Sequence, residues 1–186
     1  MANGTLKVSN IQTSSGSGTI TIGQSGETVT IASGATQTGI GENMTPAFFA
    51  RLSSDQSISN ETNTIVQFNS EVYDTDSAYD NSSNYRFTIP SGKAGKYFIY
   101  SMAQLAFSNA DRFLLLKIYK NGSEFGKFTN TYSGAGTEVS CSVHLVDDAS
   151  VGDYYDMRVY QNDGTRTLSG HSTRNITVFG ALRIIT

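Results

Sequence analysis

The sequence predicts an all-β protein, with a β-sandwich head that follows a short β-rich stem. Three observations support this prediction. Charged residues make up only 16% of the chain, and the abundant Ser, Thr, Asn and Gly residues are poor helix formers. Beyond residue 46, short runs of alternating apolar and polar residues are separated by clusters of turn residues, which is typical of sandwiches. Between residues 1 and 45 the composition differs sharply from that of the rest.

Bulk properties limit the classes of function. The chain has 186 residues, 38% of them apolar, which suits one core with an appendage. Its net charge is −3 and it has no basic stripe, so nucleic acid is not an expected partner. No apolar stretch is long enough to cross a bilayer, and the first residues do not resemble a signal peptide. We therefore expect a protein that is made in a cytosol and stays soluble until it assembles, without membrane insertion.

The single cysteine, Cys141, excludes an intrachain disulfide and a cysteine-based metal cage. Because Val139 and Val143 flank it at strand spacing, we expect a small buried strand residue. The alternative is a reactive thiol.

The first 45 residues are the predicted stem. They contain one Lys, two Glu and no aromatic residue. Thr19–Ile22 and Thr28–Ile31 alternate Thr with β-branched apolar residues, as strands with one buried face do, and Gly23–Gly26 supplies a turn between them. One chain has too few apolar residues here to close a core. The segment is thus either a disordered leader or, as we favour, a stem whose strands bury their apolar faces against identical chains.

Residues 46 to 186 form the predicted head. Its apolar runs, in order, are Ala47–Leu52, Thr64–Phe68, Tyr85–Ile89, Lys96–Phe107, Arg112–Tyr119, Thr137–Val146, Tyr154–Tyr160 and Asn175–Ile185. Between the second and third lies a turn-rich acidic stretch, residues 73 to 84. Asn121-Gly122 is a strong signal for a two-residue hairpin.

Landmarks in this order resemble the globular heads of complement q-subcomponent and the related tumour-necrosis-factor (TNF) jelly roll. They are Pro46–Ala50, Ile65–Asn69, Phe87–Pro90 with Gly95, Tyr97 and Tyr100, Ile118–Gly122, Leu145 with Val151–Asp153 and Val159, and Val178–Leu182. The chain departs from the pattern in the longer spacing between Phe87 and Gly95 and in Ile99, where an aromatic residue is usual. The resemblance implies a jelly-roll head. Without a collagen stalk, it carries no implication of immune function.

The resemblance also implies a homotrimer, in which the sheet of the first and last strands faces the three-fold axis. In agreement, Tyr154–Tyr160 and Val178–Ile185 carry apolar or aromatic residues on both faces, which blurs their alternation. The alternative is that both strands are fully buried within one chain. The predicted trimer-interface residues are Phe49, Tyr155, Met157, Phe179, Leu182 and Ile184.

No set of residues predicts catalysis, and we expect no enzyme. The histidines, His144 and His171, are too isolated for a histidine-based zinc site, and a nucleophile elbow is absent. Asp74, Asp76 and Asp80 resemble the start of a calcium loop, but Tyr79 replaces the glycine of the turn. We expect no cofactor, with Ca²⁺ left as a possibility.

The stem resembles, more loosely, the virion-attachment segments of phage fibres and of trimeric capsid-decorating proteins. This resemblance implies a structural protein on the virion surface, assembled in the host cytoplasm, whose stem contacts other virion proteins. The predicted docking residues are Leu6, Val8, Ile11, Ile20 and Ile22. The alternative is a receptor-binding module for host-surface glycans, with Asp76, Tyr79 and Asn81 as its predicted ligand residues.

Overall fold

The computed structural model describes residues 11, 19–30, 33, 44–132, 136 and 138–185. The chain divides into two units, Met1–Ile40 and Gly41–Thr186, close to the predicted boundary between stem and head. The described residues contain no helix, and thus none that could span a membrane. The all-β prediction is confirmed.

The second unit is a sandwich of two antiparallel sheets. Its strands are β1 (Ala47–Arg51), β2 (Gln56–Ile58), β3 (Thr64–Ile65), β4 (Ser70–Asp74), β5 (Tyr79–Asp80), β6 (Arg86–Thr88), β7 (Gly95–Ala106), β8 (Arg112–Lys120), β9 (Ser123–Tyr132), β10 (Glu138–Ala149), β11 (Tyr154–Gln161), β12 (Arg166–Leu168) and β13 (Val178–Ile185). The first sheet runs β2-β12-β7-β13-β1-β4, with β10 also paired to β7. The second runs β5-β6-β11-β8-β9, with β3 paired to β11.

An aromatic cluster joins the two sheets. The Phe48 ring, from the first sheet, stacks on Tyr79 at 4.6 Å and on Phe87 at 4.8 Å, both from the second. Phe179 of β13 meets Phe48 edge to face at 4.8 Å. All but Tyr79 are fully buried, and Tyr79 is 5% exposed. Because such rings bury large apolar areas, this cluster fixes the position of the first and last strands against the opposite sheet.

Two predicted turns are confirmed. Asn121 and Gly122 both adopt positive φ, 51° and 80°, as a two-residue hairpin between β8 and β9 requires. Gly152, also at positive φ, turns the chain from β10 into β11.

At one end of the sandwich, a buried carboxylate forms hydrogen bonds and ion pairs with residues from different loops. Asp163 is 2% exposed. It accepts hydrogen bonds from the backbone N–H of Ser108 at 2.6 Å and from the side-chain amide of Asn109 at 2.5 Å. It also forms ion pairs with Arg166 at 2.8 Å and Arg112 at 3.5 Å. The loop after β7 is thereby held to the loop between β11 and β12.

The sequence did not predict five of the strands: β2, β4, β5, β9 and β12. Four of them are short, and β9 is an edge strand that contains Gly126, Lys127 and Asn130 among its residues. Edge strands need only one hydrogen-bonded neighbour, and polar residues on them are common because they discourage further pairing.

In the first unit, the described residues form no strand within the single chain, and pairing of stem strands with identical chains stays a prediction. No strand forms over residues 19 to 30, although the predicted turn is present, closed by a 3.0 Å hydrogen bond from Glu27 N–H to the Gln24 carbonyl. Ile11, Ile20 and Ile22 are exposed, by 57%, 42% and 66%. A strand needs a partner for its backbone groups and its apolar face. The described residues supply no strand partner for these isoleucines, while Leu6, Val8 and Ile31 lie outside the described residues.

Candidate functional site

The outward side of the first sheet is an apolar face that the described part of the chain leaves partly exposed. Along β7, Tyr97, Ile99 and Ser101 point into the core, so the alternating residues point outward. The same alternation applies on the strands paired with β7. We define the apolar face by the outward residues Phe49, Tyr73, Phe98, Tyr100, Met102, Val146 and Leu182.

Aromatic rings form a continuous row across this face. Phe49 lies 6.3 Å from Tyr73 and 6.4 Å from Tyr100, between ring centroids. Phe98 lies 5.6 Å from Tyr100 and 6.1 Å from His144. The row therefore runs from Tyr73 of β4, which is 47% exposed, across β1, β13 and β7 to His144 of β10. Near this second end, Val146 is 56% exposed.

Gly180 makes the centre of the row possible. It lies on β13 between Phe49 of β1 and Tyr100 of β7. The Tyr100 ring lies so close to Gly180 that an added Cβ would overlap its hydroxyl. Burial raises the pKa of Tyr100, and the neighbouring Tyr73 phenol, to which it is hydrogen-bonded, raises it further. Because residue 180 is a glycine, the Tyr100 ring can lie directly over this part of the sheet.

The outward side of the second sheet is very different, because cations cover its aromatic rings. The Arg158 guanidinium lies 3.9 Å from the Tyr119 ring centroid and pairs with Asp156 at 2.7 Å. Lys117 lies 5.4 Å from the Tyr160 ring and pairs with Glu124 at 2.9 Å. Because ion-paired cations lie over these rings, this side of the second sheet is compatible with exposure to water. On the first sheet, the Lys96–Asp148 pair at 3.6 Å lies near the ends of β7 and β10.

The predicted interface residues divide into two groups. Phe49 and Leu182 belong to the apolar face, and Ile184 is 37% exposed at an irregularity near the end of β13. The structure corrects the prediction for Tyr155, Met157 and Phe179, which are fully buried within the single chain. These three have no surface left to bury against another copy.

The three predicted ligand residues lie in different environments. Tyr79 is wrong as a ligand residue, because it stacks on Phe48 in the core and its hydroxyl donates to the Phe68 carbonyl at 3.1 Å. Burial raises its pKa. Asp76 is partly exposed and pairs with Lys93 at 3.4 Å. Asn81 is half-buried, next to the turn that Asp80 organises.

The three aspartates of the calcium-like segment are bound to neighbouring groups of the chain. Asp74 accepts from the backbone N–H of Asp76 at 3.2 Å and of Tyr79 at 2.8 Å. Asp80 accepts from the backbone and side chains of residues 82 to 84. Across the described part of the chain, no group of three or more His, Cys, Asp or Glu side chains is arranged to hold a metal ion. The aspartates therefore act here as turn-forming residues.

Comparisons with known proteins support the fold alone. No family model matches the chain, and neither does any curated protein. Similar solved structures include the globular domain of zebrafish complement 1qA protein, at 16% identity and a TM-score of 0.54, covering 75% of this chain and 97% of that one. Eiger TNF from S. frugiperda matches at 11% identity and a TM-score of 0.52, covering 74% of this chain and 91% of its own. Murine APRIL matches at 14% identity and a TM-score of 0.52, covering 74% of this chain and 98% of its own. The head has the complement-q/TNF-like jelly-roll fold, as the sequence predicted.

Proposed function

We propose that the protein is a non-enzymatic homotrimeric structural protein on the surface of a phage particle, either decorating the capsid or forming a short fibre. In this proposal the heads associate through their apolar faces and project outward, while residues 1 to 45 dock on other virion proteins. The observation that carries it is the partly exposed apolar face.

The proposed partner for the apolar face is a second copy of this chain. Large exposed apolar patches on soluble proteins mark interaction sites, and this one crosses five neighbouring strands. Its central strands are β1 and β13, the first and last of the head. The resemblance to complement q and TNF heads implies that this sheet faces a three-fold axis. Closure around such an axis would cover the face without leaving an open end for further growth.

The proposal for the stem rests on its composition and on the exposed isoleucines. The head has a common core of buried apolar residues. Ile11, Ile20, Ile22 and Val29, in contrast, are exposed by between 42% and 66%. Exposed β-branched residues alternating with Thr can add strands to a sheet of another protein. In this proposal a virion protein, together with the stems of the other two copies, supplies that sheet.

Two tests separate the parts of this proposal. Replacing Leu182, at the centre of the apolar face, with Glu should convert the trimer into monomers, whereas the matched change Val151→Glu, in an exposed turn, should not. Retention of the trimer by Leu182→Glu would reject the interface. For the virion role, antibodies against the head should label intact particles from producing cells in electron micrographs. Protein confined to the soluble fraction would reject that role.

A second candidate function is recognition of a surface ligand by the head. It is favoured by a cleft on the second sheet, next to the predicted ligand loop, where two arginines and two tyrosines line the same space. This function is compatible with the first.

A further inference from the structure

The cleft lies on the outward side of the second sheet, between β6, β11 and the chain around β3. Its volume is about 320 Å³, within the range of small-molecule sites. Its polar and charged lining includes Gln67, Tyr85, Arg86, Tyr154, Asp156 and Arg158.

Arg86 provides a positive charge that the described residues leave without a carboxylate partner within 4.0 Å. Three other arginines of the head have such a partner. Arg158 pairs with Asp156, while Arg112 and Arg166 both pair with Asp163. The Arg86 guanidinium instead lies 4.4 Å from the centroid of the Tyr154 ring. A guanidinium held in this way by a ring keeps its N–H groups available for a carboxylate.

Two carboxylates lie opposite Arg86 on the neighbouring strands, Asp156 on β11 and Asp80 on β5. Asp156, which also lines the cleft, pairs with Arg158 at 2.7 Å, and the hydrogen bonds of Asp80 direct it elsewhere. Asp80 accepts from the backbone N–H groups of Ser82, Ser83 and Asn84 at 3.0, 2.9 and 3.1 Å, and from the Asn84 side chain at 2.7 Å. These hydrogen bonds lower the pKa of Asp80, and the bond from the Ser83 N–H has the largest effect. Asp80 is therefore committed to the turn and does not neutralise Arg86 by direct contact.

The same turn presents Tyr85 to the cleft. Tyr85 has a φ of 51°, a left-handed conformation that costs free energy for a bulky side chain. The half-buried Tyr85 and Tyr154 both line the cleft. Tyrosine rings offer apolar surface together with a polar tip, which suits a ring that carries both C–H and hydroxyl groups. Gln67 adds an exposed side-chain amide at the rim.

We infer that this cleft binds a carboxylate-bearing sugar residue of an acidic polysaccharide. The carboxylate pairs with Arg86, the sugar ring packs against Tyr85 and Tyr154, and Gln67 bonds a hydroxyl group. The inference deepens the second candidate function and is independent of the trimer interface.

Titration calorimetry on the full-length chain tests it, with D-glucuronate, D-glucose and acetate as probes. Glucuronate should bind, and glucose and acetate should each bind at least about tenfold more weakly, because each lacks one of the two recognised features. Arg86→Gln should weaken glucuronate binding by about tenfold or more, and Arg86→Lys should recover only part of it. Arg174→Gln, the same charge change at an exposed loop residue, should leave binding unchanged.

Three results would overturn the inference: no glucuronate binding, equal binding of glucose, or an Arg86→Gln variant with unaltered affinity. Binding of poly-glutamate but not of glucuronate would identify an acidic peptide site and would likewise reject it. The solution mass of Arg86→Gln should stay that of the unaltered chain. Failure of the cleft is thereby distinguished from failure of the trimer.

Discussion

Replacing Tyr73 by Ser should strongly weaken the trimer, and the size of the effect follows from exposure. Tyr73 lies at one end of the aromatic row and is 47% exposed in the single chain. A tyrosine that is fully buried removes roughly 150–250 Å² from water, so the exposed part amounts to ~70–120 Å². At ~25 cal/mol per Å², covering it contributes about 2–3 kcal/mol per copy and about 5–9 kcal/mol per trimer.

At ~1.4 kcal/mol per factor of ten, this free energy changes the association constant of the trimer by about four to six powers of ten. Because that constant varies with the square of the concentration, the midpoint of dissociation should rise ~100- to 1,000-fold. Sedimentation velocity over a concentration series measures the midpoint. Val151→Ser, in a turn residue that is 52% exposed, is the control and should leave it unchanged. A Tyr73→Ser variant with an unchanged midpoint and a native circular dichroism spectrum would refute the reasoning.

Three further outcomes are expected. Gly180→Ala should displace the Tyr100 ring and lower the stability of the head by about 1–3 kcal/mol, as the cost of overpacking, measured by chemical denaturation; an unchanged midpoint would contradict the close approach. Asp163→Ala should cost about 3–5 kcal/mol, because two cations and three amide donors lose a buried partner, and a fall of less than 1 kcal/mol would argue against this network. Cys141, 2% exposed, should react with a thiol reagent only on unfolding, so fast labelling of the native protein would reveal a reactive thiol.

The Asp163 network also predicts a pH dependence. Burial by itself would raise the pKa of Asp163, but the hydrogen bonds from Asn109 and Ser108 and the charge of Arg166 lower it overall. A carboxylate with a lowered pKa in the folded state stabilises the protein fully above its ordinary pKa. That contribution is lost as the pH falls through the lowered value, so the head should lose stability below about pH 4. In denaturant titrations, Asp163→Asn should reduce this acid dependence, and an unaltered dependence would assign it to other groups.

Much of the fold could be predicted from the sequence because strand alternation and turn chemistry are local. The run that became β10 alternates clearly, those that became β7, β8, β11 and β13 are long and rich in apolar or aromatic residues, and Asn121-Gly122 determines its own hairpin. The short strands β2, β5 and β12 could not be predicted in this way. They form because tertiary pairing supplies their partners, as β7 and β2 do for β12.

The interface residues were harder to predict because apolar residues on both sides of a strand leave the choice of face open. On β13 the core takes Phe179 and Ala181, which leaves Leu182 outside. On β11 the core takes Tyr155 and Met157, and the outward rings of Tyr154 and Tyr160 are covered by Arg86 and Lys117. A shift of one residue exchanges the two faces of a strand, and only pairing with neighbours fixes the choice.

The ligand residues were misjudged for a related reason. Tyr79 lies in an acidic, turn-rich stretch that suggested exposure, yet β5 pairs it with Phe87 and places its ring on Phe48. The cleft residues Tyr85 and Arg86 lie on the next stretch of chain. The positive φ of Tyr85 and the stacking of Arg86 on Tyr154 depend on geometry that no local pattern indicates.

The solution mass of the intact chain at micromolar concentration tests the central claim most directly, and light scattering coupled to size exclusion measures it. If apolar faces of identical heads cover one another, the particle should have close to three times the mass of the 20.0 kDa chain. A monodisperse, folded species of one chain would leave Phe49, Tyr73 and Phe98 in water and would contradict the account.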